Sequence, residues 1–138
     1  MRQSLNLAVL GIDHGHIFDM LDEMIKEGCN CNHFWTKGSP LTLKEFNQKY
    51  PNIKRVENKS EILENDKIDM ILISSIPKDR ANLSIEALKS GKDVMVDKPG
   101  CTSLDQLDNL KQAVKETGRI WAVNFSERFH VAAVAKAE

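Results

Sequence analysis

The chain has 138 residues, 41% of them hydrophobic and 28% charged, enough for one compact domain that buries roughly two-thirds of its unfolded surface. With 19 basic and 20 acidic residues the net charge is −1, which excludes a whole-chain attraction to nucleic acid or to an anionic membrane. The longest apolar runs, such as Met70 to Ile73, are strand-sized, far below the roughly 20 residues that cross a bilayer.

In chain order, the first strand is expected over Leu5 to Gly11. It begins without a secretory hydrophobic segment or a small-residue cleavage site, so the cytoplasm is the expected location. A helix follows and closes at Gly28, after Lys26 and Glu27, and a second strand runs from Cys31 to Thr36. Cys29, Cys31 and Cys101 are an odd number without a Cys-x-x-Cys pair, which suggests free thiols rather than a disulfide framework or a zinc site. A short third strand lies near Arg55-Val56, and a fourth, Asp69 to Ser74, leads into a helix that closes at Gly91. The fifth strand is Asp93 to Asp97. Consecutive apolar residues in the fourth and fifth predict strands covered on both faces. The helix Leu104 to Thr117 sets Leu104, Leu107, Leu110 and Val114 on one stripe, with Ser103 and Gln106 as a capping box and Gly118 as its stop. A sixth strand, Ile120 to Phe125, precedes a short helical pattern from Val131 to Glu138.

This alternation of strands and glycine-ended helices predicts an α/β fold. The expected form is a doubly wound, mainly parallel sheet of about six strands in the order 3-2-1-4-5-6, the Rossmann arrangement that binds dinucleotides. Residues 1–125 are expected to form that domain, and residues 126–138 to begin a truncated second one.

Between the first strand and first helix lies Gly11-Ile12-Asp13-His14-Gly15-His16-Ile17, at the turn where backbone N–H groups and a helix dipole can face a pyrophosphate. The glycine pattern is degenerate: Gly11 is in place, but Asp13 and His16 stand at the second and third glycine positions of G-x-G-x-x-G. Asp13 would repel phosphate unless it turns away to cap the helix, and His14 or His16 would offset it by donating to phosphate. An ordinary turn that binds nothing fits these residues equally well. His14-Gly15-His16 also looks like the metal-binding His-x-His of amidohydrolase barrels, but those need about 250 residues, so no metal is expected.

The segment Gly91-Lys92-Asp93-Val94-Met95-Val96-Asp97-Lys98-Pro99 ends a buried strand on a lysine held against proline, at the sheet edge where such folds bind ligands. Lys98 would there exchange a proton with a substrate hydroxyl. A solvated turn lysine is the alternative.

Ala87 to Pro99 resembles the "ALxxGKHVxxEKP" stretch of the glucose-fructose oxidoreductase and inositol dehydrogenase (Gfo/Idh/MocA) family. Phe46 to Tyr50 is similar to that family's "FAEKYG", Ile68 to Ser74 to "VDAVVIAT", and Asn124 to Phe129 to "VGYNRRF". The resemblance implies a two-domain enzyme that moves hydride between NAD or NADP and a sugar, polyol or similar alcohol. It implies that Lys98 is the substrate-contacting acid or base, and that Asp97, Lys98 and Pro99 line the nicotinamide pocket, often through a cis proline. Ser74, Ser75 and Ile76 would pass beside the cofactor ribose and pyrophosphate. The family also often forms homo-oligomers through its second domain.

Three departures stand out: Asp97 replaces a glutamate, Arg80 falls where a histidine is common, and Pro77 sits one residue late. Thr36 occupies the place of the acidic residue that would hold a ribose 2′-hydroxyl, with Lys37 beside it, which tilts the cofactor expectation from NAD toward NADP. Without a second domain's wall, substrate is not fixed near the nicotinamide, and this chain alone is expected to turn over little or nothing. Asp13 feeds the competing expectation of a non-catalytic nucleotide-sensing or structural module.

Overall fold

The computed structural model of the chain describes residues 3–125. They form β1 (Asn6–Leu10), α1 (His16–Lys26), β2 (Asn30–Trp35), α2 (Leu43–Lys49), β3 (Lys54–Arg55), α3 (Ser60–Leu63), β4 (Met70–Ile73), α4 (Pro77–Lys89), β5 (Asp93–Asp97), α5 (Leu104–Thr117) and β6 (Trp121–Asn124). The six strands make one parallel sheet in the order β3-β2-β1-β4-β5-β6, as expected. The helix expected over Val131 to Glu138, and Ser126 to Phe129 of the family resemblance, lie outside the described residues.

The period-2 alternation of strand side chains builds two cores, one on each face. Ala8, Leu10, Ile71, Ile73, Val94 and Val96 meet Leu83, Ala87 and Leu88 of α4 and Ala113 of α5. Leu7, Val9 and Leu72 face the other way, onto Ile17, Met20 and Leu21 of α1 and Phe46 of α2. This second core is aromatic at its margin: the Phe46 ring lies 4.7 Å from Phe34 and 4.9 Å from Tyr50, centroid to centroid. The Tyr50 hydroxyl donates to Asp22 Oδ1 at 2.6 Å. Phe46-Asn47-Gln48-Lys49-Tyr50 therefore packs the fold; its two aromatic rings are buried.

The start of α5 matches its sequence signal with one change. Ser103 Oγ accepts from Gln106 N at 3.1 Å, but Gln106 Oε1 accepts in return from the Thr102 N–H, not from that of Ser103. The helix ends on Gly118 in the left-handed conformation (φ 67°), which glycine adopts without a Cβ penalty. Its inner face differs from the expected stripe: Leu110 and Ala113 are buried, whereas Leu104 is 78% exposed. The reason is that α5 packs on α4 with the small Ala113 in the shared core, while its first turn meets α4 through the polar Gln106, whose Nε2 donates to Lys78 O at 3.3 Å.

Lys92 ties the opposite end of the sheet together. It is buried, and its ammonium donates to Asn65 O at 2.7 Å and Ile68 O at 2.9 Å. The turn leading into β4 is thus fastened to the start of β5. Burial pushes the Lys92 pKa down.

Candidate functional site

The loop after β1 is fixed from both sides. Gly11 N donates to Trp35 O at 2.7 Å, Ser74 N donates to Gly11 O at 3.1 Å, and His14 N donates to Ser74 O at 3.0 Å. Gly11 itself has φ +88°, and a Cβ built on it would stand 2.5 Å from Ser75 Cβ. Only glycine fits where β1 and β4 deliver their ends so closely.

Several expected site residues are used to hold this frame. Ile12 and Ile17 have fully buried side chains and offer only backbone to a ligand. Thr36 is buried, and its Oγ1 accepts from Ile12 N at 3.3 Å, so it anchors the loop and is not part of the neighbouring cleft wall. Ser74 Oγ lies 3.2 Å from both His14 O and Asp97 Oδ2. Gly15 precedes α1 with ordinary helical angles and no side-chain cap.

A cleft of about 280 Å³ opens beside the loop, with Gly11 and Ser75 at its floor and Ile76, Leu83, Trp35 and Lys37 among its walls. Asp13 lines this cleft and does not cap α1. Burial pushes its carboxyl pKa up, opposed by backbone hydrogen bonds, its own and that of Ile76, and assisted by the nearby charge of Asp79. On the far wall Asp79, Asn82 and Glu86 share one face of α4. These went unread in the sequence, although their 3- and 4-residue spacing marks a polar helical stripe. Lys59, at the start of α3, also lines the cleft and pairs with Glu86 Oε2 at 2.8 Å.

The Asp97-Lys98-Pro99 corner is built around Arg80. Asp97 is fully buried, while Lys98 and Pro99 are exposed and joined by a cis peptide bond. Arg80, 1% exposed, sends Nε to Ser75 O (2.8 Å), Nη1 to Lys98 O (2.6 Å), and Nη2 to Asp97 Oδ2 (3.4 Å). Nη1 also lies 3.3 Å from the carbonyl oxygens of Asp97 and Pro99. Burial lowers the Arg80 pKa and the Asp97 charge opposes that, as expected for a guanidinium kept ionised by a buried partner. One planar fork thereby fixes the ends of β4 and β5 and the backbone of Lys98. Sequence alone shows Arg80 as a departure from a histidine; its targets in the Asp97-Lys98-Pro99 corner are 17 to 19 residues away.

His14 and His16 meet the same carboxylate. His16 Nδ1 lies 2.9 Å from Asp97 Oδ1 and His14 Nδ1 3.4 Å from Asp97 Oδ2.

Residues 12–125 match an oxidoreductase family described as having an NAD-binding Rossmann fold (GFO_IDH_MocA). Over 73 residues the chain is 36% identical to the scyllo-inositol 2-dehydrogenase (NAD(+)) of Bacillus subtilis; the match covers 53% of this chain and 21% of that protein. A crystal structure given as an oxidoreductase of Erwinia carotovora atroseptica is 33% identical with a TM-score of 0.89, covering 96% of this chain and 40% of its own. Another, given as an NADPH-dependent oxidoreductase of Desulfitobacterium hafniense, shares the fold at 23% identity and a TM-score of 0.82, covering 98% of this chain and 38% of its own. The chain thus spans about two-fifths of the length of these structures.

Proposed function

Because the chain belongs to the oxidoreductase family with an NAD-binding Rossmann fold, we propose that it is the cofactor-binding part of an enzyme that moves hydride between NAD or NADP and a sugar, polyol or related alcohol. The observation that carries this reading is the Arg80-clamped corner, which holds Lys98 exposed at the carboxyl edge of the sheet and ties it to Ser75 of the cleft.

The residues fit a dinucleotide in parts. The cleft is at the small end of ligand pockets, which run from about 300 to 1,000 Å³, and so suits one nucleoside half. Trp35, Ile76 and Leu83 offer apolar walls to a base. Lys59 is paired with Glu86, and no ion pair engages Lys37 among the described residues. With the Thr36 hydroxyl committed to Ile12, Lys37 is the group that would meet a ribose 2′-phosphate, which favours NADP over NAD. The loop from Gly11 to Ile17 and the turn Ser74-Ser75-Ile76 would flank the pyrophosphate, and Asp97, Lys98 and Pro99 the nicotinamide.

When bound, the nicotinamide supplies the hydride acceptor or donor. In oxidation, Lys98 Nζ takes the proton from the substrate hydroxyl as the carbon-bound hydride leaves; in reduction it returns that proton. Arg80 holds the Lys98 carbonyl so that the amine is presented from a fixed backbone. A second domain, residues 126–138 being its start, would close the substrate pocket, and the described domain alone would give negligible turnover.

Titration with NADH and NADPH, followed by fluorescence or calorimetry, tests the reading. Saturable binding is expected, tighter for NADPH; no binding of either at millimolar concentration overturns it. In the complete protein, Lys98→Ala is expected to lower turnover far more than cofactor affinity. The rival reading, a non-catalytic nucleotide-sensing or structural module, is favoured by the Asp13 carboxylate in the cleft, and it predicts no turnover by the complete protein, with Lys98 or without it.

A further inference from the structure

We propose that His14, His16 and Asp97 form a binding site for a divalent first-row transition-metal ion, of the zinc or cobalt class, at the mouth of the β1–α1 loop. Their donor atoms, two imidazole nitrogens and a carboxylate oxygen, all lie within 4.8 Å of one another. They come from three places in the fold: the loop after β1, the first residue of α1, and the last residue of β5.

The spacing suits one ion. Donors about 2.0–2.2 Å from a shared metal stand roughly 3.0 Å apart at right angles and 3.4 Å apart in a tetrahedron. His16 Nδ1 stands 2.9 Å from Asp97 Oδ1 and His14 Nδ1 3.4 Å from the other oxygen, Oδ2, so both contacts fall in this range, one to each carboxylate oxygen. Two imidazoles with one carboxylate, leaving positions open, is a donor set for zinc or for iron-class ions, whereas magnesium and calcium prefer all-oxygen surroundings.

The donors are already gathered by their own contacts. His16 Nδ1 lies at hydrogen-bond distance, 2.9 Å, from Asp97 Oδ1, and the His16 backbone N–H donates to His14 Nδ1 at 3.2 Å. Binding exchanges both contacts for bonds to the ion, so the cluster needs little rearrangement to close around it.

The carboxylate is also held as a ligand is usually held. Ser74 Oγ and Arg80 Nη2 approach Asp97 Oδ2 at 3.2 and 3.4 Å, which fixes the group and leaves Oδ1 for an ion. Such outer hydrogen bonds orient metal-binding carboxylates and tune their affinity. Entry is open, since the side chains of His14 and His16 are 52% and 35% exposed.

The test uses the full chain with Zn²⁺ alone, followed by calorimetry, and with Co²⁺ alone, followed by visible absorption, in the absence of any nucleotide. One equivalent is expected, with affinity falling on the order of 100-fold in His14→Ala and in His16→Ala, at or beyond the upper end of what loss of an outer partner costs. Both positions are accessible, and unchanged melting curves would show the variants folded. In the unsubstituted chain, the imidazole ¹⁵N resonances of His14 and His16 should shift at Nδ1 on adding Zn²⁺ while those of His33 stay. No stoichiometric binding, unchanged affinity in both variants, a shift confined to His33, or a thiolate-to-cobalt absorption band that assigns the ion to cysteine would each overturn the site. Because nucleotide titration needs no metal and this one needs no nucleotide, the two readings fail separately.

Discussion

Gly11 and Gly15 look alike in the sequence, two glycines of one loop, yet the structure gives them opposite burdens. At Gly11 a side chain would meet Ser75 at 2.5 Å on a backbone with φ +88°, so Gly11→Ala is expected to cost about 2–4 kcal/mol from overpacking and backbone strain together. Gly15 has nothing within 4 Å and an ordinary φ of −63°, and Gly15→Ala should stay within roughly 0.5 kcal/mol of the parent. Denaturant midpoints of the two variants would compare them, and equal losses would defeat the argument. Asp13 carries a pH signature. Its folded pKa is raised above 3.8 by burial, so the folded state holds the proton more tightly and stability falls as pH rises from about 3.8 through the folded value. Asp13→Asn keeps an acceptor for the Ile76 backbone and should stabilise the protein at neutral pH, with the gain vanishing in acid. A gain that persists at pH 3.8 would rule out the ionised carboxylate as the cause. The glycine loop was legible as a turn, but which glycine is obligatory depended on how near β4 comes, and no local pattern records that.

Among the elements, α4 does the most to join the site together, and it was the least legible. Strand positions followed from apolar runs, and strand bounds shifted by only a residue or so, because a buried parallel strand writes its burial into consecutive letters. Arg80 gives no such sign: in a polar helix one arginine reads as solvated surface, and its burial follows from β5 ending beside it. Arg80→Met should cost about 3–5 kcal/mol, since it strands the buried Asp97 carboxylate and leaves carbonyls of the corner without a donor. Adding Asp97→Asn should recover part of the loss; strict additivity in the double-mutant cycle would mean the pair is not coupled. The α5 stripe shows the opposite limit. Periodicity found the helix, its cap and its stop, but Leu104 lies on the predicted face and is exposed, since a stripe marks only what a partner element is there to cover.

On the scale of the whole molecule, sheet order and the position of the Asp97-Lys98-Pro99 corner at the carboxyl edge of the sheet were both readable, since six alternating strand and helix signals leave few topologies. The meeting of His14 and His16 with Asp97 was not, because 81 residues separate His16 from Asp97 and only the adjacency of β1, β4 and β5 closes that gap. The far edge of the same sheet is closed by Lys92, whose ammonium sits among the carbonyls of Asn65 and Ile68. That makes it a built-in clock for breathing of the fold. An amine-modifying reagent reaches this nitrogen only when the turn before β4 parts from β5, so its rate of labelling, read by mass spectrometry against exposed Lys98 in the same sample, should be slower by the equilibrium constant for that opening. Mild denaturant should speed modification of Lys92 and leave Lys98 nearly unchanged; equal rates in native buffer would mean that this end of the sheet is already loose.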